Sequence, residues 1–69
     1  MKSLNQAMEV TEVAYSYGFT SMRRALTVMY NDIAGDQLTD GLCRVGSYWA
    51  QDKKTGRPVK RYAIFEVIY

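Results

Sequence analysis

The chain contains no histidine, a single cysteine and a single proline. Without histidine, the side chain that most often serves as a general base or a metal ligand near neutral pH is missing. The lone Cys43 cannot close a disulfide within one chain, and zinc-type Cys/His spacing cannot arise. Arg44 stands beside Cys43, but no base or orienting group can be named around the thiol, so a core or strand cysteine is the expectation. The five glycines form neither a Walker loop nor a dinucleotide fingerprint. Asp36 and Asp40 read as solvated connector carboxylates. These absences point to a non-enzyme with no cofactor and no bound metal.

Long apolar runs are also lacking. Nothing approaches the roughly 20 residues that span a bilayer, and Met1-Lys2-Ser3-Leu4-Asn5-Gln6 has no hydrophobic block of the signal-peptide kind. The expectation is a cytoplasmic protein with no membrane partner. Sixty-nine residues make one domain, 1–69, with an apolar fraction of 48% that suits a folded globule. A chain of this size buries only roughly 60% of its unfolded surface, so homodimerisation is the expected supplement to its core.

Net charge is only +2, but it is unevenly placed. Residues 1–41 carry three cations and five anions, whereas residues 42–69 carry six cations and two anions. Such asymmetry suggests a surface that faces a polyanion. The plain alternative is that lysines solubilise a loop tip and protect an exposed strand edge.

In the N-terminal part, Ser3 and Gln6 form a capping box. Leu4, Ala7, Met8 and Thr11, then Val10, Val13, Ala14 and Tyr17, fall at helical spacing. Either one helix covers Leu4 to Tyr17, or a break near Glu9 and Val10 divides it in two. Gly18 is placed as a left-handed helix cap, with Phe19 folding back. Thr20 or Ser21 caps the next helix, in which Met22, Ala25, Leu26, Met29 and Ile33 follow an i, i+3, i+4, i+7, i+11 pattern that Gly35 ends. After the connector 36–41 come two strongly β-forming arms, Cys43–Gln51 and Pro58–Tyr69. Asp52-Lys53-Lys54-Thr55-Gly56 is a tight loop between them, closed by positive φ at Gly56. The expected fold is α+β: a helical head over 3–41 of two or three helices, followed by a long β-hairpin over 42–69.

Two patterns carry a resemblance. Ala14 and Gly18 four apart, then Phe19, a hydroxyl pair and Arg23-Arg24-Ala25-Leu26, look like a helix-turn-helix. Gly41-Leu42-Cys43-Arg44, followed by Gly56-Arg57-Pro58 and Tyr62, resembles the helix end and wing of small winged helix-turn-helix regulators of phages and bacteria. The resemblance implies that the helix after Thr20 enters the major groove of double-stranded DNA, with Thr20, Ser21, Arg23 and Arg24 at its leading end. Lys53, Lys54 and Arg57 on the wing would then contact backbone or minor groove, with Lys60 and Arg61 on its flank. The alternative for Arg23 and Arg24 is an exposed helix face paired with Glu9 or Glu12.

Nine aromatic residues are many for so small a chain. Tyr48, Trp49, Arg61 and Tyr62 interleave rings with cations and could stack single-stranded bases. They could equally form an interface, where Tyr, Trp and Arg concentrate; Tyr48, Trp49, Tyr62 and Tyr69 are the residues expected to hold a dimer or other protein partner. The sequence therefore reads as a dimeric transcriptional regulator of phage or mobile-element origin. The competing reading is a small inhibitor or adaptor that lays its aromatic hairpin on a host protein.

Overall fold

A computed structural model describes residues 1–68. The elements are α1 (Leu4–Ala7), β1 (Glu12–Phe19), α2 (Met22–Ala34), β2 (Cys43–Gln51) and β3 (Pro58–Val67). The three strands form one antiparallel sheet in the order β1-β3-β2. This is an α+β chain with two helices, but a strand stands where the helical head was expected.

The capping box at Ser3 and Gln6 is present, yet the helix it opens lasts one turn. Glu9 turns the chain: its carbonyl accepts from the Glu12 amide at 3.0 Å, and its own amide donates to Glu12 Oε1 at 2.9 Å. From Glu12 the backbone is extended, so Val13, Ala14 and Tyr17 alternate across a strand instead of sharing a helix face. The reason lies in β3. Ala63, Ile64 and Phe65 are fully buried, which requires cover on both faces and a partner on both edges. A hairpin alone leaves one edge of β3 open, and β1 fills it. Gly18 has the expected positive φ (89°), but it serves an irregularity of strand register between Tyr17 and Phe19 and caps no helix.

α2 follows the sequence pattern closely. Ser21 is the N-cap and accepts from the Arg24 amide at 3.2 Å, while the Gly35 amide closes the helix onto the Asn31 carbonyl at 3.0 Å. The left-handed residue is the next one, Asp36, at φ 61°. Its turn lets the Gln37 and Leu38 amides reach the Asp32 carbonyl, and Leu38 closes the base of the core.

The core has two halves, one on each face of the sheet. Ala25 and Met29 of α2 pack with Leu38 and Ile64, bordered by Phe19, Val45 and Tyr62. On the other face Tyr48, Ala63 and Phe65 lie under Leu4, Ala7 and Met8 of the α1 segment. Burying Phe65 or Ile64 contributes about 1.5–3 kcal/mol each. Gly46 makes room for this second half: a Cβ there would sit 2.6 Å from Phe65 Cε2. Arg44 lies over the Phe65 ring, 4.7 Å from its centroid. It makes a bidentate pair with Glu12 (Nε to Oε2 2.9 Å, Nη2 to Oε1 2.8 Å) and donates to the Ala7 carbonyl at 3.0 Å. One guanidinium thus joins β2, β1 and α1.

The hairpin forms with the expected first arm and loop, in unbroken register from Cys43 facing Glu66 to Gln51 facing Pro58. Its second arm stops at Val67, short of the expected end at Tyr69, which lies outside the described residues. Gly56 has φ 70°, and its amide donates to the Asp52 carbonyl at 2.8 Å. β1 ends where Phe19 faces Tyr62, so β3 from Pro58 to Arg61 is paired with β2 alone. That distal part continues as a two-stranded ribbon, and the whole molecule, ribbon included, has extents of 38 × 25 × 13 Å. Among the described residues no helix is long and apolar enough to cross a membrane.

Candidate nucleic-acid interface

Antiparallel topology sorts the charges. β1 ends, α2 begins, β2 ends and β3 begins at one end of the molecule. That end carries Arg23, Arg24, Lys53, Lys54, Arg57, Lys60 and Arg61, together with Lys2, whose carbonyl accepts from the Trp49 amide: eight of the nine cations, against the single anion Asp52. Asp52 is spent on the turn, where its carboxylate accepts from the Lys54 amide at 2.7 Å. Glu9, Glu12, Asp32, Asp36, Asp40 and Glu66 lie toward the opposite end, where β1 and β2 begin and β3 finishes.

The segregation exceeds what the linear charge split conveys. Arg23 and Arg24, from the acidic half of the sequence, join the ribbon end because α2 starts there. Arg44, from the basic half, leaves it for Glu12. Glu12 is therefore taken by Arg44, and Arg23 and Arg24 remain exposed. The Arg44 guanidinium, chiefly by hydrogen bonding, holds the Glu12 carboxyl below its ordinary range.

The expected contact residues divide as follows. Lys53, Lys54 and Arg57 are exposed at the ribbon tip, and Lys60 is exposed on its shaft. Arg61 is half-buried and donates to the Lys60 carbonyl at 3.0 Å. Thr20 is exposed, whereas the Ser21 hydroxyl is engaged in capping α2. Arg23 and Arg24, with Phe19, Thr27 and Val28, line an open cavity of about 430 Å³ beside the first turns of α2. The helix-turn-helix pairing itself is absent, because Glu12–Phe19 is a strand and α2 has no preceding helix packed against it in that motif.

The aromatic set separates by strand alternation. Tyr48 belongs to the core under α1 and is 6% exposed, so it is not available as an interface residue. Tyr62 is half-buried against the α2 cluster. Trp49, 37% exposed, is the ring of this group that solvent reaches most among the described residues. Tyr69 lies outside the described residues. Trp49 faces Lys60 across the ribbon, Tyr62 faces Ser47, and Lys60 Nζ lies 5.9 Å from the Tyr62 ring centroid. Trp49, Lys60 and Tyr62 therefore share one face, while Tyr48 and Arg61 share the other.

Beside Trp49 is a second depression of about 240 Å³, bounded also by Ala50, Gln51, Gly56 and Pro58. Lys2 adjoins it, since its carbonyl accepts from the Trp49 amide at 2.8 Å. Lys2 was not legible as a site residue, because only the fold brings the chain start to the end of β2, and Gln51 and Pro58 carry neither the charge nor the ring that would single them out in the hairpin arms. Cys43 sits among apolar neighbours; burial first, then Asp40 and Glu66, push its thiol up, the reverse of an activated nucleophile. Compared with known families, curated proteins and solved structures, the chain matches no family model, no curated protein and no solved structure.

Proposed function

We propose that the chain binds double-stranded DNA through its basic end and acts as a transcriptional regulator by occupying its site. The observation that carries this reading is the gathering of seven cations on the β-ribbon and the adjoining start of α2. A two-stranded ribbon fits the B-DNA major groove, about 12 Å wide. Exposed lysines and arginines on its tip and shaft supply phosphate contacts. The role of the helix differs from that in a winged helix-turn-helix: α2 offers Arg23, Arg24 and Thr20 at its leading end, alongside the ribbon. A two-fold dimer would set two ribbons at half-sites about one helical turn apart, roughly 34–36 Å.

A salt titration on duplex DNA tests the proposal. About five phosphate contacts give a slope near −4.5 in log affinity against log salt. Replacing Lys53, Lys54 and Arg57 together by Ala should lower that slope by about 2–3 and weaken binding to all sequences alike. Absence of binding even at low salt would overturn it and leave the inhibitor or adaptor reading, in which the ribbon engages an acidic protein surface.

A further inference from the structure

We infer that the depression beside Trp49 is a stacking site for one unpaired nucleobase, so that the preferred ligand is duplex DNA interrupted by a gap or an extruded nucleotide. The inference rests on reading the basic end as a DNA surface, and it adds what that surface recognises. The lining is what a planar, weakly polar, edge-bonding ligand needs. Trp49 supplies an exposed aromatic plane, and Pro58 lies at its ribbon neighbour Gln51, which it faces across the strands. Gln51 supplies a fixed amide: its Nε2 donates to the Gly56 carbonyl at 2.9 Å, and its oxygen accepts no hydrogen bond among the described residues.

Cations occupy positions next to the residues that line this apolar hollow. Lys60 is the cross-strand partner of Trp49, Arg57 stands between lining residues Gly56 and Pro58, and Lys2 is held to Trp49 through the backbone. A phosphate attached to the stacked base would lie at the basic end of the molecule. Aromatic surface with cations at neighbouring positions is the arrangement that holds single-stranded bases, where stacking is tolerant of base identity. Burying the same ring against a protein would leave these cations to be matched by acidic groups, whereas a nucleotide brings its own phosphate. An intact duplex, with every base stacked, offers nothing to Trp49.

Trp49 is the sole tryptophan and therefore reports on its own site. The full chain is titrated with a blunt duplex and with the same duplex carrying a short oligothymidine gap, following Trp49 fluorescence and, with labelled DNA, anisotropy. The gapped DNA should bind more tightly and quench Trp49 more. Trp49→Ala should weaken gapped binding roughly 5- to 100-fold, the loss of one stacked base, while blunt-duplex binding stays unchanged, circular dichroism shows the variant still folded at the assay temperature, and Trp49→Phe restores most of the difference. Equal affinity for the two DNAs, or a Trp49→Ala loss shared equally by both, would overturn the inference. If the blunt duplex still binds with a steep salt slope, the duplex reading survives that failure; if neither DNA binds, both fall.

Discussion

Gly46 is the residue on which the second half of the core turns. It has no need of a special backbone conformation; what it provides is space, since a Cβ would meet Phe65 Cε2 at 2.6 Å and Arg44 Nη1 at 2.8 Å. The arginine can swing away, but Phe65 is fully buried and cannot. Gly46→Ala should therefore destabilise by about 1–3 kcal/mol, read as a fall in melting temperature of about 4–8 °C per kcal/mol. Glu12 makes a different kind of prediction. Its folded pKa lies below the ordinary value of 4.5, so its pairing with Arg44 stabilises the fold above that value. As pH falls through the lowered folded pKa, the carboxylate takes up a proton and that stabilisation is lost. Melting curves should show the wild type losing stability below about pH 4.5 relative to Glu12→Gln, so that the variant's deficit, about 1–3 kcal/mol at neutral pH, shrinks in acid.

Elements differ in how locally they are specified. α2 and the β2–β3 hairpin carry their own start, period and stop signals: Ser21 and Gly35 bound the helix, and Gly56 with Asp52 closes the loop. β1 carries two conflicting periods. Val13, Ala14 and Tyr17 sit at helical spacing, but Val13, Tyr15 and Tyr17 also alternate with smaller residues as a strand does. The tie is broken outside the segment, by the open edge of β3 and by Tyr15, whose hydroxyl donates to Asp32 Oδ2 of α2 at 2.7 Å. The helix end shows a smaller mismatch of the same origin. Gly35 stops α2, yet the left-handed position falls on Asp36 at φ 61°. Asp36→Gly should raise stability by about 0.4–1 kcal/mol in denaturant melts, because glycine relieves the left-handed strain that Asp bears there.

For the whole molecule, the consequence of antiparallel topology is an electrical polarity larger than net charge +2 suggests. The ribbon end has seven more cations than anions, eight against one, and the opposite end has an excess of carboxylates. A polyanion approaching such a body is oriented before contact, with the ribbon foremost. The steep salt dependence expected of duplex binding, and its reduction when the three tip cations are removed, belong to this scale because they depend on the summed field and not on one contact. The gap preference expected from Trp49 belongs to the same end but is short-ranged, so raising salt should weaken both DNAs while leaving their difference in affinity largely intact.

Local sequence determined α2, the hairpin, the loop glycine and the rule that basic charge gathers on the ribbon, since capping, period-2 alternation and turn chemistry act over a few residues. Tertiary structure decided that Glu12–Phe19 is a strand, that Arg44 is spent on Glu12 while Arg23 and Arg24 join the basic end, and that Tyr48 is core while Trp49 meets solvent. Each of those outcomes depends on which edge of β3 is filled and which face of the sheet each helix covers. Such facts concern residues far apart in the chain, and no local preference can supply them.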